Sequence, residues 1–340
     1  MLTAGKKQVF WRYLMKAIVQ TKYGNFDVLK VGEAVKPIPK KDKVVVKVFA
    51  AAVNTGNMYS VTGKPFLARL SSGLFKPNFL NPGSDLAGVV EAIGEDVTQF
   101  KAGDAVFGDN LPGGFGTYAE YVSVPEKELA LKPENISFVE AAAAPQAAEV
   151  ALQGLRDKGK IQAGQKVLIT GASGGNGTYA VQIAKAFGAE VTAVCSTRNI
   201  ELVRSLGADH VIDYTRKDFT QTGENYDLIL AMGGYRPLED YESVLRPGGI
   251  FVWAGGDLKG LFETMRKGGG IGRKVNKTLT SLSHKISQAD LEYIAQLMES
   301  GKVKSVIDSV FPLEKTAEAF QHYQAGHMQG KVVIQIVKES

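Results

Sequence analysis

The chain has very little cysteine and little histidine, the residues on which most zinc sites depend. Its 340 residues include one cysteine, Cys195, and four histidines, which we interpret as surface or packing residues. A single cysteine excludes a disulfide within the chain and any zinc site built from several cysteines. The sequence therefore predicts that no metal is bound. The shortage of cysteine also fits a cytoplasmic location.

Long apolar runs and a strong excess of one charge are missing as well. No stretch approaches the ~18 consecutive apolar residues of a membrane-spanning helix, so we expect no membrane span. The formal net charge is +5, and the lysines and arginines are scattered along the chain, which argues against binding to nucleic acid. With 44% hydrophobic and 22% charged residues, the composition is that of a globular protein long enough for two domains.

Residues 1–14 are basic and contain no acidic residue, which leaves two interpretations of this segment. Its composition resembles that of a transit peptide. However, Met15 immediately precedes an apolar segment, Lys16–Gln20, that has the pattern of a strand. This favours an N-terminal extension, from an upstream start or an added sequence, over a targeting segment.

A glycine cluster lies between a predicted strand and a predicted helix. The strand Lys166–Thr170 leads directly into it, and a helix with apolar positions such as Tyr179 and Val181 follows. Glycines let the backbone approach a pyrophosphate, and the helix N-terminus supplies N–H groups and the positive end of its dipole. This order predicts a dinucleotide site that includes Ala172, Ser173, Gly174, Gly175, Asn176 and Gly177.

The end of the next predicted strand indicates which dinucleotide is bound. A site for NAD usually carries Asp or Glu there, about 20 residues further on, to bind the ribose 2′-hydroxyl. Here the strand Glu190–Val194 is followed by Cys195 and then by Ser196, Thr197 and Arg198. Hydroxyls and a guanidinium suit a 2′-phosphate, so we expect NADPH as the cofactor. The alternative is that Arg198 only caps or solvates the following helix.

The pattern of elements changes near residue 140, which predicts two domains of an α/β protein. The earlier part consists of short strands and turns, typical of a distorted antiparallel barrel or sandwich rather than of a parallel sheet. The later part alternates strands and helices, as in a doubly wound parallel sheet, with its six strands expected at 166–170, 190–194, 210–214, 226–231, 249–254 and 303–308. We expect the last strand, 331–337, to pair with the first domain, and Gly268–Gly270 to form a mobile loop.

Several spaced motifs together resemble one protein family. They are VNTGNMYSVTGKPF (53–66), PGSDLAGVVEAIGEDVTQFKAGDAVFG (82–108), GGFGTYAEYV (113–122), LGADHVIDY (206–214), LRPGGIFVWAGG (245–256) and GKVKSVIDSVFPLEKTAEAF (301–320). With them, the chain resembles the medium-chain dehydrogenase/reductase superfamily, and within it the zinc-free, zeta-crystallin-like quinone oxidoreductases. The resemblance implies a GroES-like β-barrel catalytic domain (15–137 and 305–340), a Rossmann NADPH-binding domain (138–304) and an N-terminal extension (1–14).

The resemblance also implies roles for individual residues. Asn54 stands where zinc-dependent relatives have a metal-binding cysteine, and Ser84-Asp85 stand where they have His-Glu. Asn57 and Val150 depart from the family, in which Asp and Thr are usual at these positions. Further cofactor-binding residues implied by the resemblance are Val150, Tyr214, Gly233, Gly234, Gly255 and Lys331.

Without a metal, the expected chemistry is hydride transfer from NADPH to a small acceptor that is already electrophilic. A quinone or an α,β-unsaturated carbonyl meets this condition, and neutral donors can then stabilise the charge on its oxygen. We expect the Asn54 amide and the Tyr59 hydroxyl to be these catalytic donors. For Tyr59 a role as a pocket-wall aromatic is an equally open alternative.

Two other interpretations were weighed against this one. The glycine cluster also fits the turn of short-chain dehydrogenases, but no tyrosine in the chain is followed by Lys at the fourth position, as those enzymes require. A non-catalytic NADPH-binding sensor or assembly protein stays possible, because a fold alone does not determine function. We also expect a homodimer, formed through an apolar sheet edge at Ile250–Ala254.

Overall fold

The computed structural model describes residues 13–256 and 258–338, apart from the side chains of Ser71 and Lys274. Residues 1–12 of the predicted N-terminal extension lie outside the described residues. The chain forms two compact units, here called the barrel unit and the nucleotide unit. The barrel unit contains the described residues up to Gln146, together with Ile286–Glu299 and those from Ile307 onward, and the nucleotide unit contains Ala147–Lys285 and Ser300–Val306.

The strands and helices follow one another as listed here in chain order. The strands are β1 (Leu14–Val19), β2 (Lys30–Val35), β3 (Lys43–Ala52), β4 (Asp85–Ile93), β5 (Ala105–Asp109), β6 (Tyr121–Pro125), β7 (Leu129–Leu131), β8 (Lys166–Thr170), β9 (Glu190–Cys195), β10 (His210–Asp213), β11 (Tyr226–Ala231), β12 (Leu245–Trp253), β13 (Thr278–Ser281), β14 (Ile307–Pro312) and β15 (Lys331–Gln335). The α-helices are α1 (Thr55–Thr62), α2 (Arg69–Ser72), α3 (Phe138–Ala142), α4 (Pro145–Gln153), α5 (Gly175–Ala186), α6 (Ile200–Ser205), α7 (Leu238–Ser243), α8 (Leu258–Val275), α9 (Gln288–Glu299) and α10 (Thr316–Gln324). None of the helices in the described ranges is long and apolar enough to cross a membrane.

The barrel unit is built on a mainly antiparallel sheet with the strand order β14-β15-β3-β4-β5-β7, in which β6 also pairs with β3. Along β3, the alternate residues Val44, Val46 and Val48 are fully buried. Because successive side chains of a strand point to opposite faces, these valines form one apolar face of the sheet. They belong to the apolar core of this unit, which fixes the ends of β3 and β4 where the candidate site lies.

The nucleotide unit contains a parallel sheet with the strand order β10-β9-β8-β11-β12-β13. Its central strand β8 has three consecutive fully buried residues, Val167, Leu168 and Ile169, as expected for a strand covered on both faces. The direction of strand succession reverses between β8 and β11. In open α/β sheets, ligands bind outside the carboxyl ends of the strands at such a reversal. The predicted α/β class, with a barrel and a doubly wound sheet, is confirmed.

The final strand joins the barrel unit, as the sequence predicted, but the sixth strand of the parallel sheet is not where it was expected. Strand β15 pairs antiparallel with β3. The segment 303–308 does not complete the parallel sheet; only its last two residues belong to a strand, β14, which pairs with β15. The sixth strand is β13, a segment of only four residues, too short to show a period in the sequence. The residues of α3 and α9 also group with the barrel unit rather than with the nucleotide domain proposed from the sequence.

Two expectations about the surface of the parallel sheet are also wrong. Strand β12, which contains most of Ile250–Ala254, is not at the edge, because β13 pairs with it. Gly268–Gly270 form part of helix α8 rather than a mobile loop. A Cβ atom at Gly268 would lie 2.7 Å from the carbonyl oxygen of Leu279, so this glycine allows α8 to pack closely on β13.

Candidate active site

The glycine cluster forms a tight turn in which an added Cβ atom would clash with neighbouring backbone. Gly171 follows β8 with φ +66°, a conformation that favours glycine. A Cβ atom at Gly177 would lie 2.1 Å from the carbonyl oxygen of Gly171. A Cβ at Gly171 would in turn lie 2.9 Å from Cα of Gly233, in the loop that follows β11. The turn is therefore a cradle of bare backbone at the strand reversal.

Helix α5 begins inside this cradle with its N-terminus open to an anion. Gly174 is the N-cap, and no side chain of the described residues caps the helix there. The first N–H groups of a helix have no acceptor within it, and the helix dipole adds positive potential at this end. These groups and the bare backbone suit a pyrophosphate, so the residues present fit the dinucleotide that the sequence predicted.

The structure brings several of the predicted cofactor residues together at the ends of β8, β11 and β12. A Cβ at Gly255 would lie 3.9 Å from Nδ2 of Asn176, and a Cβ at the neighbouring Gly256 would lie 3.4 Å from the carbonyl carbon of Gly233. Helix α4 carries the buried residue Val150. One turn further on, at Gly154, a Cβ would lie 2.8 Å from Cδ1 of Leu230, which places this segment beside β11.

Two residues that the sequence analysis missed organise the predicted 2′-phosphate region. Asn199 donates from Nδ2 to Ser173 Oγ at 2.7 Å and to Ser196 Oγ at 3.2 Å, and so joins the glycine turn to the end of β9. Asp213, at the end of β10, accepts a hydrogen bond of 2.5 Å from the Thr197 hydroxyl. This hydrogen bond is the main cause that lowers the pKa of Asp213.

The carboxylate of Asp213 changes the expected role of Thr197. A hydroxyl has one proton, and that of Thr197 is donated to Asp213 rather than offered to a phosphate. Ser196 and Arg198 thus stay the predicted phosphate-binding residues, and Tyr214 beside them is 63% exposed. The sequence shows Asp213 at the end of the strand that follows β9. Its proximity to Thr197, however, depends on the parallel pairing of β9 with β10.

The barrel unit contains a buried charged cluster around Lys331. This residue begins β15 and is only 2% exposed. Its ammonium donates a hydrogen bond to Oδ1 of Asn54 and lies 3.9 Å from Oδ2 of the fully buried Asp85. Burial lowers the pKa of Lys331, and Asp85 and Asp109 partly counteract this effect. The sequence analysis assigned Lys331 to the cofactor and did not foresee its contact with Asn54.

Asn54 lies at the N-terminus of helix α1, and its side-chain NH2 group makes no hydrogen bond within the described residues. Its backbone N–H donates to Oδ1 of Asn57 at 3.0 Å, while its side-chain oxygen accepts from Lys331. Its Nδ2 is buried and has no hydrogen-bond partner among the described residues. A buried, unpartnered donor is costly, and a ligand oxygen would satisfy it.

The departure at Asn57 also has a structural explanation. The amide Nδ2 of Asn57 donates to Ser84 Oγ at 3.3 Å, and its Oδ1 accepts from the Tyr118 hydroxyl at 3.3 Å. A carboxylate at this position could accept from Tyr118 but could not donate to Ser84. Asn57 therefore fixes the start of α1 beside Asn54, and its side chain is fully committed within the protein.

Tyr59 lies on α1 near another tyrosine, Tyr323. Thr55, one turn before Tyr59, shares a 2.8 Å hydrogen bond with the Tyr323 hydroxyl. Burial raises the pKa of Tyr323, and Tyr59 is close enough to raise it further. The catalytic role of Tyr59 stays a prediction.

The described residues contain no group of three or more His, Cys, Asp or Glu side chains that could hold a metal ion. Cys195 is buried at the end of β9 in the nucleotide unit, and burial raises the pKa of its thiol to about 11. It is therefore a neutral packing residue at ordinary pH rather than a thiolate ligand.

Two family profiles match the chain. The family described as "Alcohol dehydrogenase GroES-like domain" matches residues 40–134, and the family described as "Zinc-binding dehydrogenase" matches residues 206–334. The first range lies in the barrel unit, and the second covers strands of both units. The second description names a metal, whereas Asn54, Ser84 and Asp85 occupy the positions at which the family resemblance implies metal ligands in zinc-dependent relatives.

Curated relatives cover nearly the whole chain. A 2-methylene-furan-3-one reductase from Solanum lycopersicum is 38% identical over 333 residues, which cover 94% of this chain and 79% of that protein. An NADPH-dependent alkenal/one oxidoreductase from Arabidopsis thaliana, a chloroplastic protein, is 37% identical with the same two coverages, 94% and 79%. The mitochondrial NAD(P)H oxidoreductase RTN4IP1 from Homo sapiens is 34% identical, with 95% of this chain and 90% of that protein covered.

Two solved structures of oxidoreductases are similar to this chain over nearly its whole length. The quinone oxidoreductase from Coxiella burnetii superimposes with a TM-score of 0.83 at 28% identity, covering 95% of this chain and 99% of that chain. The CurK enoyl reductase superimposes with a TM-score of 0.81 at 28% identity and with the same two coverages.

The close approach at Gly177 gives a first testable prediction. Gly177→Ala places a methyl group against the carbonyl of Gly171, so the turn must open, and we expect NADPH affinity to fall by at least about tenfold. Fluorescence titration with NADPH measures this change. Gly269→Ala is the matched control, because it lies in α8 with nothing within 4 Å of the added carbon. Equal affinities of the Gly177 variant and the unmodified protein would contradict the proposed cradle.

Proposed function

Since the chain belongs to the medium-chain dehydrogenase/reductase superfamily, in its quinone oxidoreductase branch, we propose that it reduces quinones or α,β-unsaturated carbonyls with NADPH and without a metal. NADPH supplies the hydride when it is bound. The single observation that carries the proposed chemistry is the buried Nδ2 of Asn54, which has no partner among the residues described. Such a donor suits an oxygen that gains negative charge during the reaction.

The cofactor is assigned to the nucleotide unit. The uncapped N-terminus of α5 and the backbone cradle at Gly171 and Gly177 would hold the pyrophosphate. Ser196 and Arg198 would bind the 2′-phosphate, and Val150 together with the loop at Gly233 and Gly234 would border the nicotinamide. The names of the alkenal/one and furanone reductases among the relatives support a conjugated carbonyl as acceptor.

The proposed reaction balances without a metal. A hydride adds to the β-carbon of the enone, the carbon–carbon double bond shifts, and the electron pair moves to the carbonyl oxygen. Hydrogen bonds from Asn54 Nδ2 and from the Tyr59 hydroxyl stabilise the resulting enolate, which then takes a proton from Tyr59 or from water. A simple ketone has no such conjugated acceptor and would need a Lewis acid or a poised proton donor instead.

The donor roles are tested by removing one hydrogen bond at a time. We expect Asn54→Ala to lower kcat by about a hundredfold with an enone or a quinone, with much less effect on NADPH affinity. Tyr59→Phe should also lower kcat if its hydroxyl donates to the substrate. NADPH oxidation is followed with a panel of quinones, enals, enones and simple ketones.

Asn135→Ala provides the control, because Asn135 is an exposed residue of the barrel unit that donates to the Glu299 carbonyl at 2.9 Å. If both site variants reduce the acceptors at unmodified rates, the assignment of the donors is wrong. If the unmodified protein binds NADPH but oxidises none of it with any acceptor, the alternative of a non-catalytic NADPH-binding protein is supported instead.

The preference for NADPH is tested at Arg198. Charge-assisted hydrogen bonds contribute ~1.5–3 kcal/mol each, so Arg198→Ala should weaken NADPH binding by about 10–100-fold and leave NADH binding unchanged. Arg273→Ala is the control, since its guanidinium donates to Gly269 O within its own helix. Equal affinities of the unmodified protein for NADPH and NADH would refute the assignment.

A homodimer and a cytoplasmic location stay part of the proposal. The parallel sheet has two edge strands, β10 and β13. We place the dimer contact at β13, the neighbour of β12, so two copies would associate along Thr278–Ser281 rather than along β12. Light scattering at micromolar concentration should then report twice the mass of the chain, and a single-chain mass would contradict the dimer.

A further inference from the structure

We propose that Lys331 is a positioning residue whose buried ammonium, held by Asp85, orients the Asn54 amide so that its N–H groups face the substrate oxygen. This inference rests on the proposed function, because it assigns a cause to the donor geometry of that site. It gives Lys331 a role in the barrel unit in place of the cofactor contact that the family resemblance implied.

The orientation of the Asn54 amide follows from the chemistry of its neighbour. An ammonium has three donors and no acceptor, so only the carbonyl end of a neighbouring amide can face it. Lys331 donates to Oδ1 of Asn54, which leaves Nδ2 directed away from the ammonium. With a neutral, apolar residue at position 331, Oδ1 would lose its charged partner and keep only the backbone N–H of Asn57, which donates to it in the capping box of α1. The amide could then turn its acceptor toward the substrate and repel a developing enolate.

The ammonium is itself held in place on several sides. Oδ2 of Asp85 lies 3.9 Å from Nζ, and the carbonyl oxygen of Val53 lies 3.5 Å from it. Asp109 adds a second negative charge whose effect on Lys331 is smaller than that of Asp85. Since these partners come from the ends of β3, β4 and β5, the sheet itself determines where the charge lies.

The same contact strengthens Asn54 as a donor. A positive charge at the carbonyl oxygen of an amide draws electron density from its nitrogen, and hydrogen bonds in a buried chain polarise one another. Asn54 and Asp85 stand at sequence positions that hold metal-site residues in zinc-dependent relatives. Here one ammonium bridges the two positions, so a cation is retained beside the reacting oxygen without being a ligand of it.

The test compares the holo-protein with variants at position 331 and its partners. Lys331→Met removes the charge, and the double variant Lys331→Met/Asp85→Asn removes it without leaving an uncompensated buried carboxylate. Each is measured for kcat and KM with one enone, for the isotope effect of NADPH deuterated at the transferred position, and for NADPH affinity by fluorescence. Val332→Ala is the control for lost stability, because it removes fully buried methyl groups from the same strand without changing a charge.

We expect both Lys331 variants to lower kcat by about 10–100-fold, with a larger isotope effect on kcat because hydride transfer becomes slower. NADPH affinity should change by less than about threefold. In an Asn54→Ala background, Lys331→Met should have at most about a threefold further effect, because it acts through Asn54. Val332→Ala should lower the melting temperature and leave the isotope effect unchanged.

Three results would overturn the inference. One is an NADPH affinity that falls by more than about tenfold in Lys331→Met with kcat retained at saturation, which would make Lys331 a cofactor-binding residue. Another is a Lys331→Met/Asp85→Asn protein that is folded and fully active. The third is an Asn54→Ala/Lys331→Met protein whose loss of kcat equals the product of the two single-variant losses. Such a result would mean that the two residues act independently. Failure of the proposed function would differ from all three, because the unmodified protein would then reduce no enone or quinone.

Discussion

The ammonium of Lys331 is the charge around which the barrel part of the candidate site is arranged. Removing an ammonium from water is costly unless charges and hydrogen bonds replace the lost hydration. Asp85, the Asn54 carbonyl oxygen and the Val53 carbonyl supply these partners at the ends of neighbouring strands. Once they are committed to Lys331, Asn54 has only its Nδ2 group left to offer. The contacts that compensate the buried charge of Lys331 thus leave Nδ2 of Asn54 without a hydrogen-bond partner among the described residues.

The nucleotide unit depends on a different constraint, which is close backbone packing at the strand reversal. Gly171, Gly177 and Gly233 approach one another so closely that a Cβ on the first two would overlap with backbone atoms. This packing brings bare backbone to the N-terminus of α5, where we propose that the phosphates bind. Together, the two constraints support the proposal that backbone geometry binds the hydride donor and that one positioned amide donates to the substrate oxygen.

The sequence predicted the features that depend on local pattern. The glycine turn, the central strands and the pairing of the last strand with the first domain follow from motifs and periodicity, and the structure confirms them. It did not reveal features that depend on pairing between distant segments. The contacts of Asp213 with Thr197 and of Lys331 with Asn54 join residues 16 and 277 positions apart. The four-residue β13 was missed for a related reason, since its place in the sheet depends on its pairing with β12.

The central claim is hydride transfer from NADPH to a conjugated carbonyl without a metal. It is tested most directly by treating the purified protein with a chelator, measuring its zinc content, and supplying an enone with NADPH deuterated at the transferred position. The account predicts no stoichiometric zinc, undiminished turnover, and one deuterium at the β-carbon of the saturated product. Activity that is lost with the metal and restored by adding zinc, or a product without deuterium at that carbon, would contradict it.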